Sequence, residues 1–253
     1  MKKFLLLLSV FAIFACKKDK SNDDVVTIPA SDYELSADGL TLVKWKNENT
    51  AVLNMQADAV LRNVKTIRYS VFSEHKSLGS IILPEGLTGI EAAAFYGTKL
   101  RSIVIPKGVQ VIGANAFAKS SLTSVQFSEG LITIDDGAFS ECKIPIINFP
   151  ESLQAIGRRT FESNKVIASV IIPKNVLNVA SAAFDSCEKL SSVTFKGQTP
   201  PTISIIFGSE LNYVKQAYEP IVKGHIYVPK GRAEVYKKAE GFKPYINIIS
   251  EEE

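Results

Sequence analysis

The chain has 253 residues, with 29 basic and 26 acidic side chains and a formal net charge of +3. That balance excludes a nucleic-acid binder, which needs a strongly basic face against the phosphates. Two histidines, His75 and His225, stand about 150 residues apart, and neither is joined by spacing to a nucleophile and a carboxylate, as acyl-transfer chemistry requires. With no Gly-rich phosphate loop and no metal-spaced cluster, the expectation is no catalysis, no cofactor and no metal.

Lys2 and Lys3 make a short basic start, and Phe4 to Phe14 is a run of eleven residues that is apolar apart from Ser9. The run is too short for a membrane-spanning helix and has the length of a secretory h-region. It ends in Ile13-Phe14-Ala15-Cys16, which resembles a bacterial lipobox. The resemblance implies a signal peptide over residues 1–15, a lipidated Cys16 at the new N-terminus, and a membrane held through that lipid. Without Lys2 and Lys3 the basic residues fall from 29 to 27 against 26 acidic ones, a net of +1. Residues 16–31, which include "KKDKSNDD", read as a polar tether. The pair Asp23-Asp24 is similar to surface-export signals of Bacteroidetes lipoproteins, which implies an exposed outer-membrane location.

Residues 32–52 are expected to form an N-terminal cap. "YELSADGLTLVKW" reads as two strands joined at Asp38-Gly39, placed to cover the exposed edge of the first repeat coil.

From residue 53 to 198 the chain repeats. Phenylalanines fall at 72, 95, 117, 139, 161 and 184, with Phe207 a further candidate, at intervals of 22 or 23 residues. Eleven residues before them stand Pro84, Pro106, Pro150 and Pro173, with Ser128 and Leu61 at the same place in the other copies. Each proline closes a short apolar run, such as "SIVIP". One such unit cannot bury its own apolar side, so units must stack and share a continuous core. The runs alternate inward and outward like strands covered on one face, and proline belongs where a strand ends. Recurrence of the same strand in every coil makes the sheet parallel, with the Phe column stacked inside. Asp58 stands where the first copy should have an inward aliphatic residue, which reads either as a different register or as a capping coil.

The remaining residues, 199–253, break the period at "GQTPPTI" and read as a C-terminal cap. "IYVP" is its last strand and Arg232 to Ala239 a short helix.

The unit L-x-x-I-x-I-P-x-x-V-x-x-I-G-x-x-A-F, clearest from Leu100 through Pro106 and Gly113 to Phe117, resembles the BspA-like class of bacterial leucine-rich repeats. The likeness covers about Leu53 to Phe195. It implies a right-handed superhelix with a parallel β-sheet on the concave face and short helical or irregular convex segments. It also implies a surface role in adhesion or matrix contact.

In that arrangement the outward strand positions form two columns. One holds Ser80, Ser102, Ser124, Ile146, Ser169 and Ser192, and the other Ile82, Val104, Gln126, Asn148, Ile171 and Thr194. Neither contains a charge. The proposed binding face is therefore Ser102, Val104, Ser124, Gln126, Ile146, Asn148, Ser169 and Ile171. Tyr213, Tyr218, Tyr227, Tyr236 and Tyr245 of the cap are the aromatic alternatives. Three residues after each Phe lies a column of His75, Thr98, Ser120, Cys142, Asn164 and Cys187, which reads as a hydrogen-bonding ladder. Strands lie about 4.8 Å apart, so Cys142 and Cys187 should be near 10 Å from each other, too far for a disulfide and hence buried thiols. The expected protein is a monomeric surface lipoprotein that binds a protein or a glycan, with a periplasm-facing envelope scaffold as the alternative.

Overall fold

A computed structural model describes residues 27–207, 209–212, 217–220 and 224–253. The expected signal peptide, Cys16 and most of the expected tether lie outside the described residues, as do Tyr213 and the side chain of Tyr218. The described chain winds as a solenoid in which a typical coil contributes two short strands and a turn, while the coil of residues 144–161 forms only the second strand, Ala155–Ile156.

The second strand of each coil builds the continuous sheet. Its nine strands run in the order Tyr33–Leu35, Thr41–Trp45, Thr66–Ile67, Gly89–Ile90, Val111–Ile112, Thr133–Ile134, Ala155–Ile156, Asn178–Val179 and Thr202–Ile203. Only the first pairing is antiparallel; the later ones join successive coils in parallel. Alternation puts Leu42, Ile67, Ile90, Ile112, Ile134, Ile156, Val179 and Ile203 inside.

The first strand of each coil, the "SIVIP" run, forms a ridge divided into three sheets rather than one. Val52–Asn54 pairs with Ser80–Ile82, and Ser102–Val104 with Ser124–Gln126. Ser169–Ile172, Ser192–Phe195, His225–Val228 and Ile249–Glu251 make a four-stranded sheet. Proline explains the main break. Thr123 N–H donates to Arg101 O and Ser191 N–H to Ala168 O, each at 2.9 Å. Pro145 holds the equivalent place in the coil between and has no hydrogen to give. Ile144 N–H turns instead to Asn164 Oδ1 at 3.3 Å.

The turn carries a third ladder. Phe95 N–H donates to Ala116 O, Phe117 to Ala138, Phe139 to Thr160 and Phe161 to Ala183, at 2.7–2.9 Å. Two residues per coil adopt left-handed conformations to aim these groups. Ser70, Ala93, Asn115, Gly137, Arg159 and Ala182 have φ between 54° and 64°, and Glu74, Gly97, Lys119, Glu141, Ser163 and Ser186 between 55° and 66°.

Inside, Phe72, Phe95, Phe117, Phe139, Phe161 and Phe184 are wholly buried. Their rings stack at 5.1–5.5 Å with planes within 8°. Trp45 closes the column 5.5 Å from Phe72. Phe207 is buried but turns to Tyr245, 5.8 Å away.

Both ends are closed. At the first, Gly39 takes a φ of 72° in the hairpin turn, and Asp38 Oδ1 accepts Leu40 N–H at 3.0 Å. Asp58 belongs to a capping coil. It is 2% exposed, and Oδ1 accepts Val60 and Leu61 N–H at 2.8 and 2.7 Å, at the start of the 3-10 turn Leu61–Asn63. Oδ2 accepts Ile28 N–H at 2.8 Å, pinning the end of the tether. At the other end the sheet continues through "GQTPPTI" to Thr202–Ile203, so the period outlasts residue 198 by half a coil. The helix is Ala233–Lys238, flanked by Arg232 and Ala239. A 3-10 segment, Glu240–Ile248, leads to the final strand, Ile249–Glu251.

Candidate interaction face

The outward positions of the first-strand ridge stand in water. Ser80, Ser102, Ser124, Ile146 and Ser169 are exposed, as are Ile82, Val104, Gln126, Asn148 and Ile171, while Ser192 and Thr194 are half-buried. The register places Ser102 beside Ser124 and Val104 beside Gln126. It also places Ser169 beside Ser192 and Ile171 beside Thr194. Ile146 and Asn148 lie between these two sheets, in the segment that Pro145 keeps out of the ladder.

Four apolar side chains of the face are more than half exposed: Ile82 at 52%, Val104 at 56%, Ile146 at 68% and Ile171 at 53%. Single exposed aliphatics are ordinary, but a row of them is not. An apolar groove of about 640 Å³ opens between Ile82 and Val104, floored by Leu83 and Pro106, with Glu85 and Lys107 at its rim. It forms where Ser80–Ile82 and Ser102–Val104 run side by side without sharing a sheet.

The columns extend further than the serine pattern implies. Val52, 74% exposed, stands beside Ser80, and Asn54 beside Ile82. At the other end His225 stands beside Ser192 and Tyr227 beside Thr194, their rings 6.0 Å apart. "HIYVP" carries the spacing of "SIVIP", so His225 and Tyr227 were readable; "VLN" has no serine or proline to mark Val52. Tyr227 therefore belongs to the face.

Two of the other aromatic alternatives are corrected. Tyr236 and Tyr245 are completely buried. Tyr236 donates its hydroxyl to Gly197 O at 2.8 Å, and burial pushes its pKa up to about 12. Tyr245 Oη accepts Ile206 N–H at 3.1 Å. Both lock the C-terminal cap onto the last coil and offer no surface to a ligand.

The column after each Phe is a ladder with one missing rung. Thr98 Oγ1 donates to Phe95 O at 3.0 Å, Cys142 Sγ to Phe117 O at 3.3 Å, and Cys187 Sγ to Phe161 O at 3.2 Å. Asn164 Nδ2 bonds both Phe139 O and Phe161 O, at 2.7 and 3.0 Å. Ser120 Oγ meets Cys142 Sγ at 3.3 Å. His75 departs from the expectation, because its buried Nε2 has no hydrogen-bond partner. Its ring instead packs edge-on against Phe72 at 6.0 Å, and aromatic contact replaces the polar one in the first rung. Cys142 and Cys187 are buried thiols, as expected. Among the described residues no group of three or more His, Cys, Asp or Glu is placed to hold a metal ion.

Several solved structures are similar to this chain. A leucine rich repeat protein of T. pallidum is 26% identical, with a TM-score of 0.45 over 67% of this chain and 71% of that one. A leucine-rich repeat protein from Bacteroides ovatus is 18% identical, with a TM-score of 0.35 over 80% and 76%. A leucine rich cell surface protein from Faecalibacterium prausnitzii is 21% identical, with a TM-score of 0.29 over 59% and 54%. No protein of curated function matches the sequence. The family model for the BspA type leucine rich repeat region matches in six copies, over residues 52–167 and 88–213. These matches span well over half of the sequence, and the chain belongs to the BspA-type leucine-rich repeat family.

Proposed function

We propose that this chain is a lipid-anchored cell-surface module that binds a protein or glycan partner, without catalysis, through the exposed columns of its first-strand ridge. The observation that carries this reading is the uncharged row in which Val52, Ile82, Val104, Ile146 and Ile171 are all more than half exposed. Covering apolar surface is worth about 25 cal/mol per Å², and no buried charge opposes it in the columns.

A binding array of glycans and host proteins, probed with the anchorless Cys16→Ser protein, identifies the partner. The double change Gln126→Glu with Asn148→Glu puts two charges at the centre of the face, on exposed side chains. Surface changes of this kind alter stability by less than about 0.5 kcal/mol. Binding is expected to fall at least tenfold, or about 1.4 kcal/mol. Parental binding by this variant would remove the face from consideration.

The anchor rests on the lipobox-like end of the leader. Cys16→Ser is expected to lose labelled palmitate and to release the protein from the membrane; equal labelling of parent and variant would refute the lipid at Cys16. Protease added to intact cells should cut the anchored protein, whereas protection would favour a periplasm-facing scaffold.

A further inference from the structure

On the turn ridge, consecutive coils line a polar cleft of about 450 Å³, within the roughly 300–1,000 Å³ of small-ligand sites. Three ion pairs line it: Lys119–Glu141 at 3.6 Å, Arg158–Asp136 at 3.7 Å and Arg159–Glu162 at 3.8 Å. Other pairs among the described residues close up fully, such as Lys46–Glu34 at 2.9 Å, Lys165–Glu188 at 2.8 Å and Lys237–Glu234 at 3.2 Å. The pairs in the cleft thus stand beyond the range of a good N–H···O bond.

The repeat does not demand these charges. Arg158 and Arg159 occupy the positions held by Ala114 and Asn115 one coil earlier than Asp136 and Gly137, and by Ser181 and Ala182 one coil later. Small neutral residues serve the same turn, with the same left-handed backbone at Ala182 and Asn115. Arg158 and Arg159 are therefore additions to the coil, whereas Asp136 also serves it, its Oδ1 accepting the Arg158 backbone N–H at 2.6 Å.

We infer that this cleft binds a neutral, polyhydroxylated ligand, a sugar unit of a glycan. A hydroxyl bridges each loose pair, accepting from the cation while donating to the carboxylate. Charge-assisted bonds of this kind are the stronger ones. Three cations face three carboxylates, so the cleft offers an ion of either sign no net attraction. Asn115 supplies an amide to the same space, and Tyr96 stands at the rim with the Lys119 ammonium 5.6 Å from its ring centre. This inference is independent of the strand face, which lies on another side of the coil.

The test is calorimetric titration of the full chain, in a detergent without sugar headgroups, with lactose, maltose and cellobiose. Glucuronate and glucosamine serve as charged counterparts. At least one neutral disaccharide should bind, with the charged sugars at least tenfold weaker. The charge-balanced variant Arg158→Ala with Glu162→Ala should lose that binding and keep the parental melting point. The Gln126→Glu, Asn148→Glu variant should bind the disaccharide as the parent does, which separates failure of this cleft from failure of the strand face. Absence of binding by all three disaccharides, preference for a charged sugar, or parental binding by the Arg158 and Glu162 variant would each overturn the assignment.

Discussion

At the scale of single residues, the core tolerates polar groups only where the backbone of a neighbouring coil supplies a partner. Asp58 is nearly buried because three N–H groups converge on it. Asn164 is fully buried because two carbonyls do the same for its amide. Cys142 makes a softer version of the contact, and burial pushes its thiol pKa from 9.0 up to about 11. The raised value has a definite sign for stability. The unfolded chain ionises this thiol first, so its contribution is complete below pH 9 and is lost as pH rises through about 11. Each unit of that window is worth about 1.4 kcal/mol at most. Urea midpoints of the parent are expected to fall from pH 9 upward, and more steeply above pH 10, where the unfolded tyrosines also ionise ahead of Tyr236. Cys142→Ala should flatten the early part of the fall. The same steepness in both proteins would show that the thiol ionises without penalty.

At the scale of the element, the turn is the costly part of each coil, because two of its residues sit in a region disfavoured for anything but glycine. A left-handed non-glycine residue costs roughly 1–2 kcal/mol, and the inter-coil hydrogen bonds of the turn hold it there. Gly137, at φ 64°, escapes that cost, and an added Cβ would stand 2.3 Å from Asn115 Oδ1. Gly137→Ala is therefore expected to lower stability by about 1–2 kcal/mol. Ala93, at φ 54° in the equivalent place, should respond in the opposite direction. Ala93→Gly relieves the strain and loses about 0.5–1 kcal/mol to chain entropy, leaving a small gain. Thermal melts of both variants check the pair, and a loss in each would mean that the left-handed positions are not where the strain lies.

At the scale of the whole molecule, each coil touches mainly its neighbours, so stability is a sum of coils and interfaces closed at the ends. The hairpin with Trp45 closes one end. Tyr236, Phe242 and Tyr245 close the other. Phe117 lies in the middle, with rings stacked at 5.1 and 5.2 Å on its two sides. Phe117→Ala should cost about 3–5 kcal/mol, a large share of a total of roughly 5–15 kcal/mol. Because both interfaces weaken together, urea unfolding should also broaden as the two halves uncouple. A midpoint unchanged from the parent would contradict the stacked column.

The sequence by itself determined the solenoid, because a Phe every 22 or 23 residues with an apolar run eleven residues ahead has no other way to bury its apolar side. It determined the inward and outward columns as well, since period-two alternation follows from strand geometry alone. It also determined that Cys142 and Cys187 stay apart, by counting coils. Continuity of the sheets was decided only in three dimensions. The loss of one N–H at Pro145 matters because of what Thr123 and Ser191 do in adjacent coils, and the second strands run unbroken because no proline interrupts them. The role of Asp58 needed Ile28, thirty residues away, to come within 2.8 Å. The same holds for Tyr236 and Tyr245. Their hydroxyls and rings look like surface aromatics along the chain, and only the fold brings them against the carbonyl of Gly197 and the amide of Ile206. Periodic packing is written in local spacing, whereas a polar or aromatic group is placed by partners that the spacing does not name.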